Sequence, residues 1–158
     1  MRTFAQTADR IAATTKKLEK TATLADYFKS APVEEAAVAA VFFSGRPFPM
    51  WEETTLQVGG SLIWRMVSEL SGKSEHELTA AYRKHGDLGA VAEAMLPSPE
   101  QASESELPAA EVQRMFREIS AARGPATKGH QVRQTIAQLF CTRFRRELIV
   151  SSSIISRL

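Results

Sequence analysis

Apolar residues recur along most of the chain at intervals of three and four positions, which is the spacing of one face of an α-helix. The alternation of apolar and polar residues that is typical of a half-buried strand is nearly absent. The first apolar face contains Phe4, Ala8, Ile11, Thr15 and Leu18, and it predicts a first helix that buries this side. In all, the sequence predicts seven or eight helices in a compact all-α domain.

Short polar patterns mark where several of these helices begin. Thr3 with Gln6 and Ser74 with Glu77 have the spacing of a capping box, in which each side chain accepts a hydrogen bond from the other residue's backbone N–H. Asp87 precedes a further apolar pattern and can cap it in the same way. Each pattern therefore predicts the start of a helix.

The most apolar predicted helix follows Pro32. Proline fits the first turn of a helix, and Ala36–Phe43 is apolar on nearly every side, so this helix is predicted to be central. The next segment, Arg46–Trp51, is too rich in proline to be regular, so its aromatic residues are predicted to pack against the core as a loop. Residues 97–107 are rich in proline, serine and glutamate and are predicted to form an exposed loop.

The length and composition are typical of one soluble globular domain. The chain has 158 residues, of which 44% are hydrophobic and 24% charged, and no run approaches the about 18 apolar residues that span a membrane. The single cysteine, Cys141, cannot form a disulfide within the chain, and the three histidines lack the spacing of zinc ligands. We therefore expect a cytoplasmic domain without a metal site.

Charge is distributed unevenly along the chain. Residues 1–122 contain 13 Lys and Arg against 17 Asp and Glu, a net charge of −4, whereas residues 123–158 contain 7 against 1, a net charge of +6. Such a contrast indicates either a basic tail for an anionic partner or a final segment of different origin. The sequence analysis leaves both interpretations open at this point.

No catalytic motif is found. The sequence contains no Gly-rich phosphate loop with Lys-Ser/Thr, no Gly-x-Ser-x-Gly and no His-Glu-x-x-His. Cys141 is interpreted as a small core residue, and Glu52 with Glu53 as a solvated surface pair. We therefore name no catalytic residue.

Basic residues lie together at three predicted helix ends, two of them with hydroxyl groups. These ends are that of the first helix, the pair Arg83-Lys84 before Gly86, and the start of the last helix. Such groups, with the free N–H groups of a helix start, bind phosphate oxygens without reading bases. Basic residues at helix ends also complement the helix dipole and increase solubility, so the pattern alone leaves that alternative open. The candidate DNA-binding residues are Thr15, Lys16, Lys17, Lys20, Thr127 and Lys128.

Four segments resemble one known family. They are Phe4–Phe28, Phe43–Phe48, Leu56–Trp64 and above all Lys84–Ala92, whose sequence is KHGDLGAVA. Their order and spacing resemble the N-terminal DNA-binding domain of ATP-dependent DNA ligases of the bacterial and archaeal type. The resemblance extends over about residues 1–135, which we take as one incomplete domain.

The resemblance implies an all-helical domain that grips duplex or nicked DNA across the minor groove, largely through phosphates. It implies that Thr15 and Lys17 match a hydroxyl and a basic residue on the DNA backbone, and that Thr127 and Lys128 begin the last DNA-facing helix. In this family separate domains seal nicks with ATP and Mg²⁺ during DNA replication, repair and recombination. A cytoplasmic, nucleoid-associated location is implied as well.

The sequence also departs from the family. No lysine is followed by the Lys-x-Asp-Gly pattern that becomes adenylylated, so we expect no ligation by this chain alone and no cofactor within it. Residues 136–158 form an atypical basic tail, where the family has a Gly-Asp-Leu-Arg-Ile-Gly-Leu-like element. One hypothesis is that the tail from about Phe140 is an out-of-frame translation. The alternative hypothesis is a short binding protein with a basic tail.

A second functional class is a helical protein-interaction module, or a ligase fragment without function. Its basis is the expectation that a truncated domain leaves the apolar face Val112–Ile119 and the side chain of Phe140 uncovered. Exposed apolar patches of this kind favour self-association.

Overall fold

The computed structural model describes residues 2–96 and 107–141, with side chains from 3–96 and 107–139. Within these ranges it consists of eight helices without a strand, which confirms the all-α prediction. The helices are α1 (Arg2–Ala12), α2 (Lys17–Ser30), α3 (Val33–Phe43), α4 (Gly60–Ser71), α5 (Glu75–His85), α6 (Leu88–Met95), α7 (Ala109–Ala121) and α8 (Pro125–Cys141). No helix in this part of the chain is long and apolar enough to cross a membrane.

The predicted caps of α5 and α6 are confirmed. The Ser74 hydroxyl accepts the N–H of Glu77 at 3.3 Å, and the Glu77 carboxylate accepts the N–H of Ser74 at 2.9 Å. The pKa of Glu77 is lowered to about 2 by hydrogen bonds donated to its carboxylate, first from the Ser74 backbone N–H and then from the Ser74 hydroxyl and the Lys73 ammonium. Asp87 caps α6 by accepting the N–H of Ala90 at 2.9 Å.

The predicted first helix is wrong at both ends. Thr3 lies inside α1, where its carbonyl accepts the Thr7 hydroxyl at 2.7 Å, so it is not a cap residue. The helix ends at Ala12 rather than continuing to Leu18, whose side chain is 84% exposed. The chain breaks here because the Thr14 hydroxyl accepts the N–H of Lys16 at 3.2 Å, a local bond that competes with a continuous helix.

The core lies between α3, α7 and the helices packed around them. Phe42 of α3 meets Phe116 of α7 edge-on, with ring centroids 5.6 Å apart, and both side chains are buried. Although α3 is apolar on nearly every side, it buries only one face, since Val33 is 85% exposed. The helix predicted to be central thus packs against α2 and α7 and contributes Ala39 and Phe42 to the core.

The loop between α3 and α4 packs against the core through part of its length. Phe48 is buried, as predicted, and the Arg117 guanidinium lies 5.4 Å from its ring centroid. Arg117 also donates two hydrogen bonds of 3.0 Å to the Glu52 carboxylate, which lower the pKa of Glu52. The prediction fails for Trp51, which is 83% exposed because the loop turns its tip toward solvent.

The apolar face of α7 is covered. Val112, Met115, Phe116 and Ile119 are all buried, so the expectation of an exposed patch on this helix is wrong. The reason is that α7 packs against both α3 and α8. The predicted tail from residue 136 begins inside α8, whose Ile136 and Leu139 are buried. Phe140, the predicted loop 97–106 and the tail beyond residue 141 lie outside the side chains described.

Candidate nucleic-acid interface

The N-terminal turns of α4 and α8 lie against each other. Gly129, in the second turn of α8, has no side chain, and a Cβ built on it would lie 3.6 Å from Arg65 Nη2 and 3.7 Å from Leu62 Cδ1 of α4. Both of these residues belong to the first two turns of α4. Because the first N–H groups of a helix have no intrahelical partner, this arrangement brings two partly positive helix starts close together.

The sequence around the start of α8 explains its position. Gly124 has φ +80°, a left-handed conformation that glycine adopts without steric cost, and Pro125 follows as the first helical residue. Thr127 is exposed in the first turn, where its hydroxyl is accessible to a ligand. The backbone N–H of Lys128 then closes the first turn on the carbonyl of Gly124 at 3.1 Å.

The two glycines at this helix start give opposite predictions for substitution by alanine. Gly129→Ala is expected to raise the free energy of unfolding by about 0.5–1 kcal/mol, because alanine is the better helix former and the new methyl makes ordinary contacts. Gly124→Ala is expected to lower it by about 1–2 kcal/mol, because of the left-handed backbone. Urea unfolding of both variants measures the difference. A loss of stability in Gly129→Ala would show that α4 and α8 are packed more tightly than described.

Lys128 makes a bond that the sequence did not predict. Its ammonium donates to the carbonyl of Leu56 at 3.1 Å, which joins α8 to the loop before α4 across 72 positions of the chain. The side chain is half-buried. An ammonium has three N–H donors, so two remain for another acceptor. Lys128 therefore joins two parts of the surface through its ammonium group.

The other predicted group lies at the start of α2 rather than at the end of α1. Lys16 is the residue before the first helical turn, and no side chain caps that turn. Its ammonium bonds the Glu19 carboxylate at 2.8 Å, and the Thr14 hydroxyl donates to the same carboxylate at 2.6 Å. Both bonds lower the pKa of Glu19, and the bond from Lys16 has the larger effect. The charge of Lys16 is thus partly neutralised.

Two further lysines at this helix start form no ion pair with any described residue. Lys17 and Thr15 are exposed, and Lys20 is half-buried one turn further along α2. Among the residues with described side chains, no carboxylate lies within ion-pair distance of Lys17 or Lys20. The structure therefore places the predicted residues in two groups. These groups are Thr15, Lys16, Lys17 and Lys20 at the start of α2, and Thr127 and Lys128 at the start of α8.

Sequence analysis missed a polar groove beside the start of α4. Arg46, Pro47 and residues 54–59 line it, and its volume is about 430 Å³. Gln57 in this segment has φ +52°, a left-handed conformation that is uncommon for residues other than glycine. The available signal in the sequence was the pair Thr54-Thr55 followed closely by Gly59-Gly60. No periodicity in the sequence relates these residues to Arg46.

In the described part of the chain, no three His, Cys, Asp or Glu side chains come together in a group that could hold a metal ion. The polar groups that the structure does bring together are ammonium, guanidinium, hydroxyl and helix-start N–H groups. The molecule is thus an all-helical domain with exposed basic helix starts.

The chain belongs to the family described as "DNA ligase N terminus", whose model matches residues 1–148. It is 49% identical over 140 residues to a probable DNA ligase of Koribacter versatilis, a match that covers 87% of this chain and 24% of that protein. It is 31% identical over 141 residues to DNA ligase 2 of Methanosarcina mazei, covering 84% of this chain and 25% of that protein. The chain thus spans about a quarter of the length of these curated relatives. The predicted family is confirmed.

Proposed function

We propose that this domain binds duplex DNA through its sugar–phosphate backbone and supplies DNA affinity to a nick-sealing ligase. The observation that supports it best is the start of α2, where exposed Thr15 and Lys17 adjoin uncapped helix N–H groups in a chain of the ligase family. Hydroxyl, ammonium and helix-start N–H groups all bind phosphate oxygens, and none of them distinguishes one base from another. The binding is therefore independent of sequence.

The start of α8 forms the second part of the proposed surface. Thr127 offers a hydroxyl in the first turn, and Lys128 holds a positive charge beside it. Two contact groups on separate helices fix the orientation of a duplex, whereas one group would only attract it. Lys16 and Lys20 extend the surface along α2. The attraction of Lys16 for phosphate is weakened because its ammonium is paired with the Glu19 carboxylate.

Ligation chemistry lies outside the residues described here. Adenylyl transfer from ATP needs a lysine nucleophile, and Mg²⁺ is held by carboxylates or phosphates; these residues offer neither a Lys-x-Asp-Gly motif nor a carboxylate cluster. We derive no step of nucleotide transfer from them. By this proposal the domain acts in a larger ligase of the cytoplasm and nucleoid, in replication, repair and recombination, where it holds nicked DNA for the parts that perform the chemistry.

The test is a fluorescence titration of nicked and intact duplexes of two unrelated sequences with the purified chain, at several salt concentrations. The logarithm of the binding constant is expected to fall linearly with the logarithm of salt, by about 0.9 for each phosphate contacted. Both sequences are expected to bind with similar affinity. A protein that melts cooperatively and yet shows no salt-dependent binding would refute the proposal. An affinity ratio above about tenfold between the sequences would refute the claim of sequence independence.

A further inference from the structure

The groove beside the start of α4 has the chemistry of an anion site. Of its lining residues, Arg46 offers a guanidinium, Thr54 and Thr55 offer hydroxyls, and Gln57 offers an amide. The described structure contains no hydrogen bond or ion pair from any of these four side chains to another described residue. Their donors thus remain available for a ligand, while water satisfies them in its absence.

The lining that the structure describes contains one charged side chain, the Arg46 guanidinium. None of the lining residues in the described structure is acidic, and the nearest acids in sequence, Glu52 and Glu53, precede the lining segment. Glu52 is bound by Arg117 and Glu53 is exposed. The Lys128 ammonium does not line the groove, but it lies 3.1 Å from the carbonyl of Leu56, a lining residue. The groove therefore has a guanidinium in its lining and an ammonium bonded to one of its lining residues.

The backbone contributes further donors. Gly59 has no side chain with which to cap α4, so the N–H groups of Gly60 and Ser61 have no partner within the helix. These features support the assignment, which rests on the unpaired side chains of the lining and above all on the Arg46 guanidinium.

We propose that this groove binds a phosphate group, and that in the complex this group is a phosphodiester of the DNA strand that passes the start of α8. A planar guanidinium with hydroxyl and N–H donors is the set that surrounds a phosphate. No lining residue in the described structure is aromatic, so the groove offers no stacking surface for a base. A volume of about 430 Å³ accommodates a phosphate with bound water, since one water occupies about 30 Å³.

This inference rests on the proposed DNA binding for the source of the phosphate, although the groove itself is testable without DNA. Lys128 links the two sites, because its ammonium reaches from the first turns of α8 to the carbonyl of Leu56 in the segment that lines the groove. A strand bound at Thr127 would thus continue into the groove. Arg46 then adds a phosphate contact to those proposed at the starts of α2 and α8.

The test uses Arg46→Gln and Thr55→Val, with Arg83→Gln as a control that removes an exposed arginine from the end of α5. Arg46→Gln is expected to weaken DNA binding about tenfold and to reduce the salt slope by about 0.9. Thr55→Val is expected to weaken binding about threefold without changing the slope, because a hydroxyl is uncharged. Arg83→Gln is expected to change neither quantity.

A titration with inorganic phosphate, followed by amide NMR, separates the groove from the DNA. In the parent chain, phosphate is expected to cause saturable changes in the amide chemical shifts of residues 55–59. These changes are expected to be absent in Arg46→Gln. Unchanged DNA affinity and slope in Arg46→Gln would overturn the phosphodiester assignment, and an absence of phosphate shifts would overturn the site itself. If the parent chain binds no DNA but shows the shifts, the proposed function fails and the groove remains a site for free phosphate.

Discussion

Replacing Phe116 with alanine is expected to lower the free energy of unfolding by about 3–5 kcal/mol, the largest effect of any change considered. The side chain is 1% exposed and meets the edge of Phe42 across the interface between α7 and α3. Its removal deletes buried apolar surface and leaves a cavity that the surrounding helices cannot fill completely. Urea unfolding monitored by far-UV circular dichroism measures the loss.

The matched control is Trp51→Ala, which removes a larger ring at a position that is 83% exposed. This change is expected to alter stability by no more than about 0.5 kcal/mol. Phe116→Leu retains most of the buried volume and guards against complete unfolding of the alanine variant, with an expected cost of about 1.5 kcal/mol. Equal effects of Phe116→Ala and Trp51→Ala would show that the interface between α3 and α7 is not the centre of the core.

The helices were predictable because most of their signals are local. Ser74 and Glu77 form a capping box whose two partners are three positions apart, so the sequence contains the whole interaction. The apolar face of α7 was predictable in the same way. Whether that face is covered was not, since the covering residues belong to α3 and α8.

The break between α1 and α2 shows where periodicity fails. The apolar spacing continues in register through Thr15 and Leu18, so the pattern predicts one helix. The chain instead turns at Thr14, whose hydroxyl bonds both the N–H of Lys16 and the carboxylate of Glu19. A hydroxyl bonded to the nearby backbone can end a helix that the apolar pattern would continue.

The residue types of the candidate interface were predictable from the sequence, but the groups that these side chains contact were not. Hydroxyl and ammonium groups at helix ends are recognisable in sequence, whereas the carbonyl that Lys128 contacts belongs to a residue 72 positions away. Arg46 and Thr55 come together only because the loop between α3 and α4 folds back on itself. Long-range packing decides which cations remain free, and a single sequence does not contain it.

The two exposed lysines at opposite ends of α2 are expected to differ in their effect on DNA binding. Lys17→Ala is expected to weaken binding about tenfold at about 0.1 M salt and to reduce the salt slope by about 0.9, because the proposed phosphate contact is lost. Lys29→Ala removes the same charge about 18 Å away, in the last turn of the helix, and is expected to change the slope little. The salt titration described above measures both.

Glu19→Gln adds a change of opposite sign at the same helix start. The carboxylate of Glu19 holds the Lys16 ammonium at 2.8 Å, so its neutralisation releases that charge and removes a repulsion toward phosphate. Binding is therefore expected to become about threefold tighter, with a steeper salt slope. If Lys17→Ala and Lys29→Ala weaken binding equally, net charge rather than a contact at this helix start attracts DNA to α2. If the three variants separate as expected, the start of this helix is the contact.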